Sequence, residues 1–312
     1  MPRILPCSLE GIQTARQHLL GGKLVAFPTE TVYGLGALAT CKKAVEAVYF
    51  LKKRPFDKPF ILHGAEASDV WPYAIENAQA RLLADSFWPG PLTLVLKRRL
   101  GTALEKSMPF KDSTIAIRVI DHPVATSLIH GLEAPLVASS ANSSGFLSPT
   151  TAADVAGAFP EEDLLILDGG QAHLGIESTI LDLTHDNIRI LRQGAVFCEA
   201  IEHCLGVSIT SPETNTAEQG QNPLMLRLNA EIPHPDEAFL AFGHAYTDFS
   251  CVAQLNLSPS GNLTEAAKNL FPMLRQLKSC KAQTIAVMPI PQRDLGMAIN
   301  ERLEKFRIEF AH

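Results

Sequence analysis

The chain has 312 residues, 46% hydrophobic and 19% charged, which is enough apolar material for a sizeable core and excludes disorder throughout. At roughly 100–200 residues per domain, two domains are the leading expectation. The 27 basic residues fall short of the 33 acidic ones, a net charge of −6; this argues against sequence-blind coating of nucleic acid and leaves room for a local basic pocket.

The first two-thirds alternates strand-like and helix-like segments. Residues 23–28 (KLVAFP) read as a short buried strand, and 41–53 place apolar residues at 44, 45, 48 and 51 on one helix face. Residues 60–62, 92–96, 114–119 and 135–138 read as further strands. Residues 122–131 read as a helix with Asp121 as its N-cap. Strands at 164–167, 178–183 and 188–191, then a helix at 196–204, close the block. The mixture predicts an α/β domain with a mixed sheet. Residues 210–222 (TSPETNTAEQGQN) are polar, without apolar period, and read as part of a linker. Beyond them, strands at 237–242, 252–257 and 284–288 alternate with helices at 263–277 and Leu295–Phe306, the pattern of a small Rossmann-like α/β unit. The expected division is 1–208, a linker over 209–235, and 236–312.

No apolar run approaches the roughly 20 residues of a membrane span. The start, MPRILPCSLEG, lacks the pattern of a signal peptide. The six cysteines (7, 41, 198, 204, 251, 280) are scattered without a Cys-x-x-Cys. That spacing argues against a zinc site or a disulfide framework and for thiols in a reducing, cytoplasmic setting.

There is no P-loop, kinase signature, G-x-S-x-G or G-x-G-x-x-G. Four other clusters stand out. FPTETVYGLG (27–36) follows a strand with hydroxyls and two glycines, suited to a small polar ligand or equally to a capped turn. KKRPFDKPFILH (52–63) ends a run holding Lys42, Lys43, Lys52, Lys53, Arg54 and Lys58 against Glu46 and Asp57. Such a run is usually a solvated helix face, but two prolines here could present the basic groups to phosphates. His63 closes that cluster as a ligand contact or a satisfied structural histidine. ASSANSSG (138–145) offers many donors of low bulk after a strand, fit for a phosphate or ribose or for a helix-capping turn. GIESTILDL and ILRQG (175–194) bring Ser178, Thr179 and Arg192 to strand ends.

Together, in order, these segments resemble the L-threonylcarbamoyladenylate synthase, or YrdC-like, family. FWPGPLTLVL (87–96), STIAIRVIDHP (113–123) and SANSSG (140–145) extend the match, and FLAFG, NLSPSGNLTEAAKNLFPMLR and MPIPQRDLGMAINERL resemble the accessory domain of its long form. The resemblance implies a twisted mixed sheet with helices forming a concave basic cleft. It implies condensation of L-threonine, bicarbonate and ATP to threonylcarbamoyl-AMP and pyrophosphate, for modification of a tRNA adenosine. Lys52, Arg54, Ser140 and Asn142 match the family's catalytic tetrad, and all four, with Lys58, Thr114 and Arg192, match ATP contacts. Thr31, His63, Arg118 and Ser178 match threonine contacts, with Arg118 on the carboxylate, and Tyr33 is expected as a pocket wall. Mg²⁺ is implied through the triphosphate, without a protein metal cage. The implied partner is a downstream tRNA threonylcarbamoyl-transferase complex; direct tRNA contact is left open, and no membrane is implied.

One departure bears on function. Long-form members carry a linker His-Tyr-x-Pro whose tyrosine reaches the nucleotide site, and GQNPLMLRLNAEIP (220–233) has no tyrosine. A paralogue of reduced activity is therefore an alternative, as is an RNA-binding module of the same fold, which the net charge and the scarcity of Tyr and Trp weigh against. The hydrogenase-maturation carbamoyltransferase shares the YrdC-like domain but adds acylphosphatase and Cys-rich zinc modules that this sequence lacks.

Overall fold

The computed structural model describes residues 1–110, 112–209, 224–244 and 249–307. The chain divides into two compact units: Met1–Ser143, Ser148–His173 and Glu177–Pro212 form the first; Ser144–Leu147, Leu174–Ile176 and Glu213–His312 form the second.

In the first unit the elements run β1 (Arg3–Pro6), α1 (Leu9–Leu20), β2 (Val25–Phe27), β3 (Gly34–Leu38), α2 (Lys42–Lys52) and β4 (Ile61–Gly64). They continue with α3 (Ala67–Val70), α4 (Ala78–Phe87), β5 (Leu92–Lys97), β6 (Thr114–Val119), α5 (Pro123–Ile129) and β7 (Leu136–Ser140). Then come α6 (Ala152–Ala158), β8 (Leu165–Asp168), β9 (Thr179–Asp182), β10 (Arg189–Arg192) and α7 (Cys198–Leu205). The strands form one mixed sheet in the order β1-β8-β2-β3-β7-β4-β6-β5-β9-β10.

Strand alternation divides the side chains between two faces. On one face, Leu35, Leu62, Leu94, Ile117 and Val137 pack with Val45, Val48 and Tyr49 of α2, Leu83 of α4, Val155 of α6 and Ile201 of α7. On the other, Phe27, Leu136, Ala138 and Leu167 pack against Ile12, Ala15 and Leu19 of α1 and Leu128 and Ile129 of α5. This second cover reaches one end of the sheet. Over β4, β6, β5 and β9 the same face carries Ile61, Ala116, Val95 and Ile180, all half-buried. A central stretch of one face is thus left less covered, and the polar side chains described below stand on either side of it.

Several local choices explain the elements. Pro123 opens α5 at its first position, where a missing N–H costs nothing, and His122 is the N-cap, accepting from the Val124 N–H. Asp121 was expected there; the cap lies one residue later because Pro123 fixes the helix start. The sequence suits 27–36 to a polar ligand or a capped turn, yet Gly34–Leu38 is a strand, held antiparallel between β2 and β7. Its glycines are dictated by packing: a Cβ on Gly36 would lie 2.7 Å from the Phe27 ring. Lys53 caps α2 in the left-handed region at φ 50°, where glycine is usual.

The second unit contains β11 (Leu226–Arg227), β12 (Ala238–Ala241), β13 (Ala253–Asn256), α8 (Leu263–Lys278), β14 (Ile285–Val287) and α9 (Leu295–Phe306). Its sheet is parallel, in the order β11-β14-β12-β13, as alternating strands and helices require. Asn262 caps α8 by accepting from the Glu265 N–H at 3.0 Å. β11 falls within 209–235 and pairs with β14; the greater part of the expected linker, 210–223, lies outside the described residues. Among the described residues no helix is long and apolar enough to cross a membrane.

Candidate active site

The last residue of α2 makes the first cluster. Lys52 is 1% exposed, and its Nζ donates to the carbonyl oxygens of Ser140 and Asn142. Ser140 ends β7 opposite Gly34, and the loop turns there: the Asn142 N–H donates to the Ser140 carbonyl at 2.9 Å. Asn142 is buried and its Nδ2 donates to the Ser143 carbonyl at 2.8 Å. Burial first, and the Arg54 charge second, hold the Lys52 amine well below its ordinary pKa. Arg54 folds its own loop: Nε donates to the Lys58 carbonyl at 3.0 Å and Nη2 to the Pro59 carbonyl at 2.9 Å, with the guanidinium 5.4 Å from the Phe60 ring centroid. The half-buried Thr114 opens β6, its hydroxyl donating to Asp112 at 2.6 Å. Ala138 and Ala116 both pair with Ile61, so Ser140 and Thr114 stand at one height, two residues beyond that row.

Two residues the other way along β4 and β6, His63 pairs with Arg118. Arg118 is 4% exposed; Nε donates to the Gly90 carbonyl at 3.1 Å, and Nη2 donates to Glu30 Oε1 at 2.6 Å and Thr31 Oγ1 at 3.1 Å. The Thr29 hydroxyl spends its proton on the Val32 carbonyl at 2.6 Å, so the Thr31 hydroxyl donates to Thr29 at 2.8 Å. His63 Nδ1 lies 2.9 Å from the Ile61 carbonyl, which can only accept, so Nδ1 carries the proton. Burial, then the Arg118 and Arg192 charges, pull its pKa down to about 3. The imidazole is neutral, and Nε2 is left as an acceptor. Ser178 is buried, its hydroxyl 2.8 Å from Thr93 Oγ1. Arg192 donates to the Ser178 carbonyl at 2.9 Å and to its hydroxyl at 2.8 Å.

The rows of Thr114 and Arg118 are four residues apart along one strand, or about 13 Å at the usual rise. One end gathers a guanidinium, hydroxyls and a neutral imidazole, the groups that read an amino acid. The other gathers Arg54 and a Ser/Asn loop tied down by the buried Lys52, a chemistry suited to phosphates. Among the described residues no group of three His, Cys, Asp or Glu side chains could hold a metal ion.

Two family models match the chain: Sua5/YciO/YrdC, described as "Telomere recombination", over 17–194, and "Threonylcarbamoyl-AMP synthase, C-terminal domain" over 206–305. The threonylcarbamoyl-AMP synthase of Pyrococcus abyssi is 34% identical, covering 94% of this chain and 93% of its own. The chain belongs to the Sua5/YrdC family of threonylcarbamoyl-AMP synthases. The Bacillus subtilis member is 42% identical over 94% of this chain and 92% of its own. The structure of P. abyssi Sua5 complexed with L-threonine superposes with a TM-score of 0.86 at 31% identity, covering 98% of this chain and 97% of that one.

Against the family pattern, the structure brings Lys52, Ser140 and Asn142 into direct contact and sets the Arg54 charge beside Lys52. Lys58 joins this loop through its carbonyl, which also accepts from the Tyr49 hydroxyl at 3.2 Å. Thr31 and Arg118 touch, His63 is in register with Arg118, and Ser178 is tied to Arg192. Arg192, matched to ATP by resemblance, therefore stands beside a residue matched to threonine. Tyr33, expected as a pocket wall, is buried in the core with the α2 residues. Its hydroxyl donates to the Gly170 carbonyl at 2.8 Å and accepts from the Gly169 N–H at 3.0 Å. Sequence reasoning missed Glu30, Gly90 and Thr93. Glu30 had one signal, a carboxylate set between two threonines in an otherwise uncharged motif.

Proposed function

We propose that the chain synthesises threonylcarbamoyl-AMP from L-threonine, bicarbonate and ATP, releasing pyrophosphate. The observation that carries this reading is the placing of an amino-acid-reading row and a phosphate-reading row about 13 Å apart on one sheet face. The printed names of the relatives and the threonine complex of the P. abyssi protein agree with it.

The chemistry follows from the groups. The threonine amine and bicarbonate join as an N-carboxylate with loss of water; the N-carboxylate attacks the α-phosphorus of ATP while pyrophosphate leaves, so the reaction is a nucleotidyl transfer. Two anions must meet, and fixed positive charge at the phosphate row offsets their repulsion. Arg118 holds the amino acid carboxylate, and Thr31, Ser178 and the neutral His63 Nε2 orient the remainder. Arg54 and Lys58 receive phosphates, with Ser140, Asn142, Thr114 and Arg192 completing the nucleotide contacts. Lys52 acts from beneath, fixing the loop that carries Ser140 and Asn142. Mg²⁺ supplies charge neutralisation on the triphosphate when bound. Buried walls limit hydrolysis of the carbamate and the mixed anhydride, and positioning supplies much of the rate. The product passes to a tRNA threonylcarbamoyl-transferase system, and the setting is cytoplasmic.

The test is incorporation of labelled bicarbonate into a nucleotide product with ATP and L-threonine both present. Incorporation that needs both substrates, and that falls at least ~100-fold in Arg54→Ala, is the expected result. Pyrophosphate release that does not depend on threonine overturns the reading.

A further inference from the structure

We propose that Glu30 sets the charge of the amino-acid end, so that this site takes an α-amino acid as its zwitterion and rejects the matching α-hydroxy acid anion. The inference rests on the synthase reading of the same site and adds a specificity-determining residue to it.

Arg118 has five N–H groups. Nε is spent on the Gly90 carbonyl, and the two on Nη2 are spent on Glu30 and Thr31. The two on Nη1 make no hydrogen bond to a described residue and are left for an incoming carboxylate. Among the described residues that touch Arg118, Glu30 alone carries negative charge. The neighbouring groups add none: His63 is neutral, and Arg192 on Ser178 is a second cation. Without Glu30, an ammonium would approach the Arg118 guanidinium with no ion-paired carboxylate on it among the described residues.

Glu30 is placed for this role. It is 6% exposed, its Oε1 lies 2.6 Å from the guanidinium, and its Oε2 is buried with no hydrogen-bond partner among the described residues. The Arg118 guanidinium beside it offsets part of the cost of burying a carboxylate so poorly solvated. Half of its accepting capacity is unspent, and its field reaches the ligand through a medium of low dielectric. An α-hydroxy acid presents the same carboxylate to Arg118 with nothing for that field to favour.

Binding calorimetry on the full chain tests this with L-threonine and with 2,3-dihydroxybutyrate of matching stereochemistry, in which a hydroxyl replaces the amine. The unsubstituted chain is expected to bind threonine at least ~10-fold more tightly than the hydroxy acid. In Glu30→Gln the amide oxygen still accepts from Arg118 while the charge is gone. Threonine affinity then falls at least ~10-fold and hydroxy acid affinity holds or rises, a divergence that loss of structure does not produce. Glu30→Asp, which keeps the charge, restores part of the preference. Equal proportional loss of both ligands in Glu30→Gln overturns the proposal, as does equal affinity for both in the unsubstituted chain. The latter comparison decides the matter even if the variant fails to fold. An unsubstituted chain that binds neither ligand fails at the synthase reading instead.

Discussion

The ammonium of Lys52, at the end of α2, lies against the carbonyl of Asn142, 90 residues downstream in the loop after β7. A second bond to the Ser140 carbonyl makes this amine the link between the helix that precedes the basic loop and the strand that ends in the Ser/Asn loop. Its burial turns a residue matched to phosphate by resemblance into a strut between the basic loop and the Ser/Asn loop.

Lys52→Met keeps the aliphatic volume and removes the donors. The Ser140 and Asn142 carbonyls then lose the buried donor that joins them, at a cost of about 1–3 kcal/mol in stability. Activity is expected to fall at least ~100-fold, because the loop carrying Asn142 is no longer fixed. Chemical denaturation and bicarbonate incorporation measure the two effects. Unchanged stability together with lost ATP binding would mean that the amine meets phosphate directly.

Arg54 is half-buried and reaches two backbone carbonyls of its own loop, at Lys58 and Pro59. Its guanidinium fork makes both contacts at once, which an ammonium cannot do. Arg54→Lys is therefore expected to raise the ATP KM at least ~10-fold while leaving threonine affinity within about twofold. Steady-state kinetics with each substrate varied separately reads this out. A parallel rise in both KM values would show that the loop supports the whole cleft rather than its phosphate end.

His63 gives a pH dependence with a fixed sign. Its folded pKa is lowered to about 3, chiefly by burial. Below about 6.5 the unfolded chain binds a proton that the folded chain refuses. Stability contributed by this group is complete above that pH and is lost as pH falls toward 3, at up to about 1.4 kcal/mol per pH unit. Between pH 7 and pH 5, His63→Gln should lose about 2 kcal/mol less stability than the unsubstituted chain. Urea unfolding at the two pH values tests it, and identical losses would place the titrating imidazole elsewhere.

These predictions draw unequally on what the sequence makes legible. The central strands announce themselves as runs of Leu, Ile and Val, and α8 through a strong apolar stripe, because burial there follows a simple period. β1 escapes because Arg3–Pro6 is short, mostly exposed and carries no alternation. β3 escapes because GLGAL has poor strand propensity and is held by pairing on both sides and by the Phe27 ring. α6 is seven residues of mostly Ala and Gly, set by the Thr151–Asp154 capping box rather than by an apolar face. At the site, the family resemblance names Thr31, His63, Arg118 and Ser178. It does not name Glu30 as the partner of Arg118, because a pairing across 88 residues exists only once β2 and β6 belong to one sheet.

Tyr33 shows the same limit, since a tyrosine in a ligand-binding motif reads as a wall until the strand fixes which face it occupies. Here it lies with Leu35 and Ala37 on the α2 side, and its hydroxyl bridges the Gly169 N–H and the Gly170 carbonyl. Burial raises its pKa, so it stays protonated and can donate across the working pH range. Tyr33→Phe leaves the ring packed and strips both backbone groups of a partner, with an expected loss of about 1–3 kcal/mol. Because the hydroxyl is spent on these two backbone groups, KM values for ATP and threonine should stay within about twofold. Thermal unfolding and steady-state kinetics on the same preparation separate the two roles. An unchanged melting temperature with a raised ATP KM would return the ring to the pocket.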